Sequence, residues 1–502
     1  MQTFQNYILG QWVSGEGVET EQFHAITGAK IGEVSSAGID FSEVLNYGRT
    51  VGGHPLRKMT FQERGRMLKA LALYLMERKE KYYEFSALTG ATRIDSWIDI
   101  EGGIGNLFAN ASLRRQFPDL PYYVDGVAAP LSKNGTFIGH HIMLPKQGVA
   151  VHINAFNFPI WGMLEKIAVN LMAGVPAVVK PSEYTSFLTE AVVRDIIASK
   201  ILPEGSLQLL VGLGRGILDH VQTEDTVTFT GSAKTGKILK GLPHIADRSV
   251  AFNLEADSLN ACILGEKAVP GTAEFDLFIK EVTKEITVKA GQKCTAVRRI
   301  FVPDALIDEV QSALIKRLAS TKVGNPSLEG VRMGALATQL QVERVRENTT
   351  ILAKSQEMVF GSLDEVQVHG ADAKHGAFFS PILFRNNHPF QQTDVHDIEC
   401  FGPVSTLMPY KSLEDAISLA RMGKGSLVSS IVTPDDQEAM DYVLGAGSMH
   451  GRVLVLNERC AKESTGHGSP MPLLTHGGPG RAGGGEEMGG KRGVLHYLQR
   501  TA

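Results

Sequence analysis

The sequence contains few cysteines, and none of them belongs to a recognisable covalent or metal-binding pattern. Cys262, Cys294, Cys400 and Cys460 lie far apart, outside any CxxC pair or zinc-ligand spacing. Four cysteines in 502 residues do not suggest a disulfide scaffold. This usage fits a reducing compartment, so we expect a cytoplasmic protein.

The sequence also lacks a strong excess of either charge and any long apolar run. The 50 basic and 54 acidic residues give a formal net charge of −4, whereas nucleic-acid binding rests on clustered positive charge. No apolar run approaches the roughly 20 residues that cross a membrane. The opening MQTFQNYILGQW lacks the regions of a signal peptide. We therefore expect a small-molecule partner, with no nucleic acid, membrane or metal ion.

What the sequence does contain is an alternation of strands and helices that begins at Gly148. GVAVHIN, GVPAVVKP, SLQLLVG and VTFTGS are predicted strands, and two helical stretches separate the first three of them. The first helix is expected to begin at Pro159 and to end at Gly174. This α/β pattern predicts a doubly wound parallel sheet, whose ligands bind beyond the carboxyl ends of the strands.

The pattern divides the chain into two α/β blocks and an arm. The first block comprises residues 1–120 and 147–258, and the second comprises residues 259–475. Residues 121–146 and 476–502 are extended, contain glycine and lack a helical period, so we expect them to form a separate projecting arm.

KAGQKCTAVRR contains a candidate nucleophile, Cys294. We expect this cysteine at a helix N-terminus, where the helix dipole and Lys293 would favour the reactive thiolate. The alternative is a buried cysteine that packs as a small apolar side chain, which is the commoner role of a single cysteine.

Two other motifs carry polar groups that suit carbonyl chemistry. Asn157 precedes the proline-initiated helix in AFNFPIWG, so its amide could donate to an oxyanion or merely cap the helix. Glu255 follows an apolar run in FNLEADSLN, so its carboxylate could activate water or simply face solvent.

The candidate dinucleotide site begins with VVKPSE and FTGSAKTGK. Lys180 follows a strand and could reach a ribose or its phosphate, while Gly231 and Gly236 could turn backbone N–H groups toward a pyrophosphate. A nucleotide-triphosphate P-loop would need Ser or Thr where this chain has Ile238, and no GxGxxG follows the first strand of the sheet.

IECFGPV provides two further candidates for this site. The Glu399 carboxylate could accept hydrogen bonds from ribose hydroxyls, and the Phe401 ring could lie against the nicotinamide ribose. The alternative is an ordinary turn at Gly402–Pro403 with an incidental acid before it.

Taken together, FNFP, KPSE, FTGS, the acidic LE, GQKC and E-x-FGP resemble the aldehyde dehydrogenase superfamily in their order and spacing, from about Tyr7 to Tyr497. The resemblance implies the aldehyde dehydrogenase fold, in which the blocks are dinucleotide-binding and catalytic domains and the arm serves oligomerisation. It implies that Cys294 is the nucleophile, that Glu255 is the general base, and that Asn157 and the Cys294 N–H form the oxyanion hole. The dinucleotide-binding residues that it implies are Lys180, Ser182, Glu183, Gly231, Ser232, Gly236, Glu399 and Phe401.

A narrower resemblance concerns the substrate. TGATRIDSWIDIEGGIG, AKESTGHGSPMP and HGGPGRAGGGEE are similar to the dehydrogenase domains of bifunctional ring-opening enzymes of phenylacetate degradation, and to semialdehyde dehydrogenases of aerobic benzoyl-CoA degradation. This implies a homo-oligomer acting on a CoA-linked semialdehyde, derived from 3-oxo-5,6-dehydrosuberyl-CoA or from 3,4-dehydroadipyl-CoA. In the bifunctional enzymes a hydratase domain follows, so we expect no ring opening by the sequence given.

Two departures from the family leave questions open. Most of the superfamily reads LELGGK where this chain reads LEADSL, so the pocket behind Glu255 is expected to differ in shape. The phenylacetate relatives imply NADP, but a carboxylate at Glu183 favours the ribose hydroxyls of NAD and repels a 2′-phosphate.

A CoA-acylating dehydrogenase and a non-catalytic scaffold are the competing functions. Retention of Glu255 argues against the first, and retention of Cys294 argues against the second.

Overall fold

The computed structural model describes residues 2–502 as a strand-rich α/β protein. The strands are β1 (Gln2–Thr3), β2 (Asn6–Ile8), β3 (Gln11–Val13), β4 (Thr20–Phe23), β5 (Lys30–Val34), β6 (Tyr123–Pro130), β7 (Ile138–Pro145), β8 (Ala150–Ile153), β9 (Ala177–Lys180), β10 (Leu207–Leu209), β11 (Thr226–Thr230), β12 (Ala251–Glu255), β13 (Asn260–Leu264), β14 (Val297–Pro303), β15 (Lys322–Val323), β16 (Val331–Met333), β17 (Glu357–Phe360), β18 (Ile382–Arg385), β19 (Val404–Tyr410), β20 (Ser426–Val432), β21 (His450–Leu456), β22 (Thr475–Gly477), β23 (Glu486–Met488) and β24 (Leu498–Thr501).

Helices cover the faces of the larger sheets. They are α1 (Phe41–Tyr47), α2 (Gly53–Lys58), α3 (Phe61–Met76), α4 (Lys79–Ala87), α5 (Arg93–Trp97), α6 (Gly103–Ser112), α7 (Pro159–Ala173), α8 (Ser186–Ser199), α9 (Ala233–Lys240), α10 (Pro243–Asp247), α11 (Ala273–Thr287), α12 (Ile307–Ala319), α13 (Gln339–Leu352), α14 (Leu413–Arg421), α15 (Asp436–Ala446) and α16 (Lys491–Leu495). Within residues 2–502 no helix combines the length and the apolar character that a bilayer crossing requires.

The first large sheet has the strand order β12-β11-β8-β9-β10-β2-β3. Strands β8 to β12 are parallel, while β2 and β3 add an antiparallel edge. From β8 the chain first builds the sheet toward β10 and then returns to the other side of β8 with β11. This reversal creates a crevice at the carboxyl ends of β8 and β11, where open α/β sheets bind ligands.

Helix α7 follows β8 and begins and ends as the sequence predicts. Pro159 is its first residue, and Gly174 closes it in the left-handed conformation with φ of +90°. Nearly every side chain of α7 is buried, because the helix packs between the first sheet and helices α3 and α6. The residues immediately before Pro159 are therefore held at a fixed place beside the crevice.

The second large sheet has the order β17-β18-β19-β14-β13-β20-β21, and every pairing except β17 with β18 is parallel. The predicted α/β class with its two parallel sheets is thus confirmed. Only residues 256–259 connect β12 of the first sheet to β13 of the second. The carboxyl end of the first sheet consequently lies next to the amino end of the second.

The stretch 476–502, which we expected to join the arm as a whole, divides into two parts. Only β24 pairs with β7, which also pairs with β6 in a three-stranded antiparallel sheet. Residues 475–488 instead form the hairpin of β22 and β23 against β12, and residues 491–495 form the short helix α16. The expectation was wrong there because the glycines allow close backbone contact with β12 rather than an extended arm.

Candidate active site

A cavity of about 890 Å³ lies at the carboxyl ends of β8 and β11 and extends between the two large sheets. It brings together all but one of the residues that the sequence predicts for the site. Those that line it are Asn157, Lys180, Ser182, Glu183, Gly231, Ser232, Glu255, Cys294, Glu399 and Phe401. The exception is Gly236.

Cys294 lies in a tight turn between α11 and β14, not at the N-terminus of a helix as expected. The residues before it, Lys289, Ala290 and Gly291, have φ values of +54°, +50° and +66°. Three successive left-handed residues reverse the chain and are rarely tolerated by side chains other than glycine. The helical stretch therefore ends before the cysteine, and a strand begins after it.

Two side chains hold this strained turn in place. Arg298 is buried and donates to the carbonyl oxygens of Gly291 at 2.8 Å and Gly402 at 2.7 Å. Asn260, the first residue of β13, donates to the carbonyl oxygens of Cys294 at 2.8 Å and Ala296 at 2.9 Å. The backbone of the cysteine is thus fixed from both sides.

The surroundings of the Cys294 thiol favour its neutral form. Burial, and then the negative charge of Glu255, raise the pKa of this thiol well above its ordinary value. Lys293, expected to favour the thiolate, points instead to Glu285, with both oxygens 2.8 Å from its Nζ. The expected activation by Lys293 is therefore wrong, because its charge is already neutralised within the protein.

Glu255 ends β12 and is almost completely buried beside the cysteine. Its carboxylate lies within 4.8 Å of the Cys294 sulfur, and its Oε2 lies 3.3 Å from Nε2 of His476. The functional atoms of these three side chains all lie within 4.8 Å of one another. Burial alone would raise the pKa of Glu255, but the charges of His476 and then Lys166 outweigh it and lower this pKa below its ordinary value.

Asn157 lies in the loop between β8 and α7, at the same cavity. Its Nδ2 donates to the carbonyl oxygen of Gln292 at 3.0 Å, so the side chain is oriented by the cysteine turn itself. An amide nitrogen carries two hydrogens, and the second is available for a ligand. Asn157 can therefore contribute a donor to an oxygen bound near Cys294.

The buried Asp99 fixes the helix that follows Asn157. Its Oδ1 accepts hydrogen bonds from the N–H groups of Ile160 at 3.0 Å and Trp161 at 2.7 Å. The neighbouring Asp95 accepts from the N–H of Lys289 at 2.7 Å. One short segment thus links the start of α7 to the strained turn.

Lys180 and Glu183 face the cavity together. The Nζ of Lys180 lies 3.1 Å from Oε2 of Glu183. Ser182, which lies between these two residues in the sequence, is buried. The pair offers both a donor and an acceptor to a ribose. The charge of Lys180 is partly neutralised before any ligand arrives.

The two glycines expected to bind a pyrophosphate use their N–H groups inside the protein. Gly231 N donates to the carbonyl oxygen of Glu255 at 3.2 Å, and Gly236 N donates to that of Ser232 at 2.9 Å within α9. Gly236 lies outside the cavity, where a Cβ would collide with Leu254. Its predicted role was wrong; the residue allows α9 to pack closely on β12.

Glu399 and Phe401 occupy the opposite wall. Oε2 of Glu399 accepts from Ser258 N at 3.1 Å, whereas its buried Oε1 has no hydrogen-bond partner among residues 2–502. Burial raises the pKa of Glu399 to about 7. The Phe401 ring packs edge-on against Phe156, with centroids 5.8 Å apart. Oε1 lies in an ion pair 3.5 Å from Nε of Arg298, and its free hydrogen-bonding capacity beside an aromatic ring suits the hydroxyls and ring of a nicotinamide riboside.

Comparison with known proteins agrees with this geometry. The profile described as "Aldehyde dehydrogenase family" matches residues 12–502. The chain is 41% identical to 3,4-dehydroadipyl-CoA semialdehyde dehydrogenase of Aromatoleum evansii over 475 residues, 94% of this chain and 92% of that protein. This chain belongs to the aldehyde dehydrogenase family. It is an NAD(P)-dependent enzyme that oxidises aldehydes.

Other relatives extend the comparison. Protein MaoC of Klebsiella aerogenes is 49% identical over 171 residues, 34% of this chain and 49% of that protein. Betaine aldehyde dehydrogenase of Staphylococcus aureus, solved in complex with NAD+, superposes with a TM-score of 0.86 at 23% identity, covering 99% of this chain and 94% of that one. 3,6-Anhydro-L-galactose dehydrogenase gives the same TM-score at 22% identity, covering 100% and 99%. These two structures share the aldehyde dehydrogenase fold.

The LEADSL segment, which departs from the common family sequence, contributes Glu255, Ala256, Asp257 and Ser258 to the cavity wall. Oδ1 of Asp257 accepts from Ala233 N at 2.9 Å and so caps α9. The hydroxyl of Ser258 donates to Oδ1 of Asn260 at 2.5 Å and accepts from Leu427 N at 2.8 Å. A carboxylate therefore lies at a helix N-terminus that could otherwise face an anionic ligand.

The sequence did not single out several charged residues of this site. Lys166 of α7 pairs with Glu165 at 2.9 Å and with Glu487 of β23 at 3.0 Å, all buried behind Glu255. Arg481 lies at the larger cavity and donates to the carbonyl oxygens of Asp397 and His396. The sequence contained one signal for these residues. Charged residues flank the glycine-rich tail, and glycine allows two backbone segments to approach closely.

A second, narrow cavity of about 80 Å³ also reaches Cys294. Its walls are largely apolar and include Ile98, Phe158 and Trp161. Lys284 lines it as well, with a side chain that is 36% exposed. A slim acyl chain therefore has a separate approach to the thiol.

The raised pKa of Cys294 predicts how the free enzyme reacts with iodoacetamide. Only the thiolate is alkylated, so the rate at Cys294 should rise about tenfold per pH unit, without a plateau, between about pH 7 and pH 9. Peptide mapping by mass spectrometry measures this rate, with the half-buried Cys460 as an internal reference. A plateau below about pH 8 would show that the thiol already ionises near neutral pH.

Proposed function

We propose that this enzyme oxidises a CoA-linked semialdehyde to the carboxylic acid through a covalent cysteine intermediate. Cys294 is the nucleophile, Glu255 the general base and Asn157 a donor to the oxyanion. The observation that carries the proposal is the convergence of Cys294 and Glu255 within 4.8 Å, with Asn157 lining the same cavity.

The first step follows from the contact between thiol and carboxylate. As the Cys294 sulfur attacks the aldehyde carbon, its proton passes to Glu255, whose carboxylate lies within 4.8 Å of the sulfur. The former carbonyl oxygen then accepts hydrogen bonds from the Asn157 amide and the Cys294 N–H. In known enzymes such a donor contributes about 3 to 4 kcal/mol to the transition state.

The residues around the larger cavity suit the binding of a nicotinamide dinucleotide. In this proposal Lys180, Ser182 and Glu183 would contact the adenosine ribose, and Glu399 and Phe401 would contact the nicotinamide ribose. When bound, the dinucleotide provides the acceptor for the hydride that leaves the substrate carbon. The product of this step is a thioester on Cys294.

Hydrolysis of the thioester completes the reaction. Glu255 first passes the thiol proton to solvent and then draws a proton from a water molecule, whose oxygen attacks the thioester carbon. The C–S bond breaks, and the Cys294 sulfur leaves as the thiolate and takes this proton back from Glu255. A CoA-acylating enzyme would use free CoA instead. A carboxylate within 4.8 Å of the thiol favours water, because such a base can activate a water molecule beside the thioester.

A CoA-linked substrate is supported by similarity and by the shape of the second cavity. The Aromatoleum relative is named for 3,4-dehydroadipyl-CoA semialdehyde, and the motif resemblance includes the 3-oxo-5,6-dehydrosuberyl-CoA semialdehyde of phenylacetate catabolism. A cavity of about 80 Å³ admits an unbranched chain and leaves the CoA moiety outside. Lys284 at this cavity can attract its phosphates.

The remaining parts of the proposal concern assembly. We infer a cytoplasmic homo-oligomer, in which residues 1–120 and 147–258 bind the dinucleotide and residues 259–475 carry the catalytic cysteine. The arm sheet of β6, β7 and β24 exposes Val127 at 91% and Phe137 at 64% of their surfaces. Apolar side chains exposed together support contact with another subunit.

Replacement of Glu255 tests the role of the base. In Glu255→Gln, a burst of reduced cofactor should precede a steady-state rate that is lower by about 100-fold or more, because thioester hydrolysis loses its base. The burst persists because loss of the Glu255 charge lowers the pKa of the Cys294 thiol, which can then ionise to solvent. Stopped-flow absorbance with hexanal measures both phases. Cys294→Ala is the control and should give neither phase while still binding the dinucleotide. A wild-type steady-state rate in Glu255→Gln would remove this residue as the base.

A substrate screen tests the CoA-linked assignment. CoA-thioester semialdehydes should have a kcat/KM at least about tenfold above that of the same semialdehydes without CoA, because the charged CoA adds binding energy. Each aldehyde is assayed with and without added free CoA. A rate that requires free CoA would favour the acylating alternative, and equal kcat/KM values would contradict the CoA-linked assignment.

The choice between NAD and NADP depends on the pair of Lys180 and Glu183. Glu183→Gln removes the charge that repels a 2′-phosphate and frees the Lys180 ammonium to bind it. The ratio of kcat/KM for NADP to that for NAD should increase about tenfold, which corresponds to about 1.4 kcal/mol. Glu347→Gln, an exposed carboxylate outside the cavity, is the matched control. An unchanged ratio in Glu183→Gln would show that the pair does not select the cofactor.

A further inference from the structure

His476 is held rigidly beside the catalytic carboxylate by the hairpin of β22 and β23. It pairs with Glu487 across this hairpin. The hairpin and its loop are attached to β12 through hydrogen bonds from Ala256 N to Ala482 O at 3.0 Å and from Gly485 N to Leu254 O at 3.2 Å. A Cβ at Gly477 or Gly451 would collide with a backbone carbonyl oxygen, so this close approach requires glycine at both positions.

The contacts of His476 differ from those of the other buried histidines among residues 2–502. His152, His450 and His467 bond to hydroxyl or amide groups, and His396 bonds to a carbonyl oxygen. Burial lowers the pKa of each of these four side chains, so they are neutral. His476 instead has Nε2 at 3.3 Å from a Glu255 oxygen, with both side chains 4% exposed.

Other charges face this pair from three elements. Glu165 and Lys166 belong to α7, Glu487 to β23 and Arg452 to β21. The Lys166 ammonium is shared by Glu165 and Glu487, at 2.9 Å and 3.0 Å. The cation in direct contact with Glu255 is therefore His476. The Nδ1 atom of His476 has no hydrogen-bond partner in the described part of the chain, so Glu255 is its polar contact.

We propose that His476 is a positioning residue for the general base: its imidazolium pairs with the Glu255 carboxylate and keeps it ionised and aimed at Cys294. The inference rests on the proposed function, in which Glu255 is the base. An unpaired carboxylate in this buried position would bind a proton, because desolvation disfavours its charge. A protonated Glu255 could accept neither the thiol proton nor a proton from water.

The titration directions agree with this pairing. Burial lowers the pKa of histidines, but the Glu255 carboxylate outweighs it and raises the pKa of His476 above its ordinary value. The same contact lowers the pKa of Glu255. Removing the imidazolium must then raise the pKa of Glu255, so that the base is lost at the acidic end of the pH range and retained at the alkaline end.

The test compares pH profiles of His476→Phe and of the wild-type enzyme with hexanal. The burst and steady-state rates are measured from about pH 5.5 to pH 9.5, and folding is checked by circular dichroism. The steady-state rate of His476→Phe should be about tenfold or more below wild type at about pH 6, and within about threefold of it at about pH 9. A loss by the same factor at every pH, or no loss, would overturn the proposal.

His476→Gln separates charge from contact and serves also if His476→Phe does not fold. Glutamine can still donate to Glu255 but carries no charge. The acid limb of the His476→Gln pH profile should therefore shift in the same direction as that of His476→Phe. A wild-type profile in His476→Gln would overturn the proposal, because a neutral donor would then suffice. His450→Gln, a buried histidine on β21 that bonds to Ser426, is the matched control and should keep the wild-type profile shape.

Two further variants isolate the titrating group and the underlying function. Burial raises the pKa of Glu487 to about 7, so the profiles are repeated in a Glu487→Gln background, where the displacement caused by His476→Phe should persist. Its disappearance there would assign the effect to Glu487 and overturn the proposal. Glu255→Gln is run in parallel: unimpaired turnover in that variant defeats the proposed function itself. Impaired turnover with undisplaced His476 profiles defeats only this inference.

Discussion

The reactive centre depends on a contact between two groups that belong to different sheets. The Glu255 carboxylate ends β12 of the first sheet, and the Cys294 thiol precedes β14 of the second. Residues 256–259 are too few to allow the sheets to separate, and Asn260 bonds the start of the second sheet to the cysteine turn. The proximity of thiol and carboxylate, within 4.8 Å, is thus a consequence of how the sheets are joined.

A second constraint is the cost of placing several charges in one buried region. The carboxylates of Glu165, Glu255 and Glu487 lie together in a buried region, and placing like charges away from water costs free energy unless they are paired. The protein offsets this by placing Lys166 between two of them and His476 against the third. Each carboxylate therefore has a cationic partner. The partner of Glu255 is His476, and this pairing leaves the Glu255 carboxylate close to the Cys294 thiol.

Backbone strain contributes to the same arrangement. Lys289 and Ala290 adopt left-handed conformations that cost of order 1 to 3 kcal/mol each. The buried bonds from Asp95 and Arg298 to this turn compensate for that cost. Because Asp99 also anchors the helix after Asn157, the nucleophile and the amide donor are positioned by one connected set of interactions.

The sequence alone determined the α/β class, the boundaries of α7 and the motifs that meet at the cavity, because periodicity and the special conformations of Pro159 and Gly174 act locally. Tertiary structure decided the rest. It showed that Cys294 follows a strained turn, that Lys293 is neutralised by Glu285, and that Gly236 serves packing. It also brought His476 to Glu255, although 220 residues separate them in the chain. Such contacts depend on how sheets are joined and charges are paired, which local patterns do not encode.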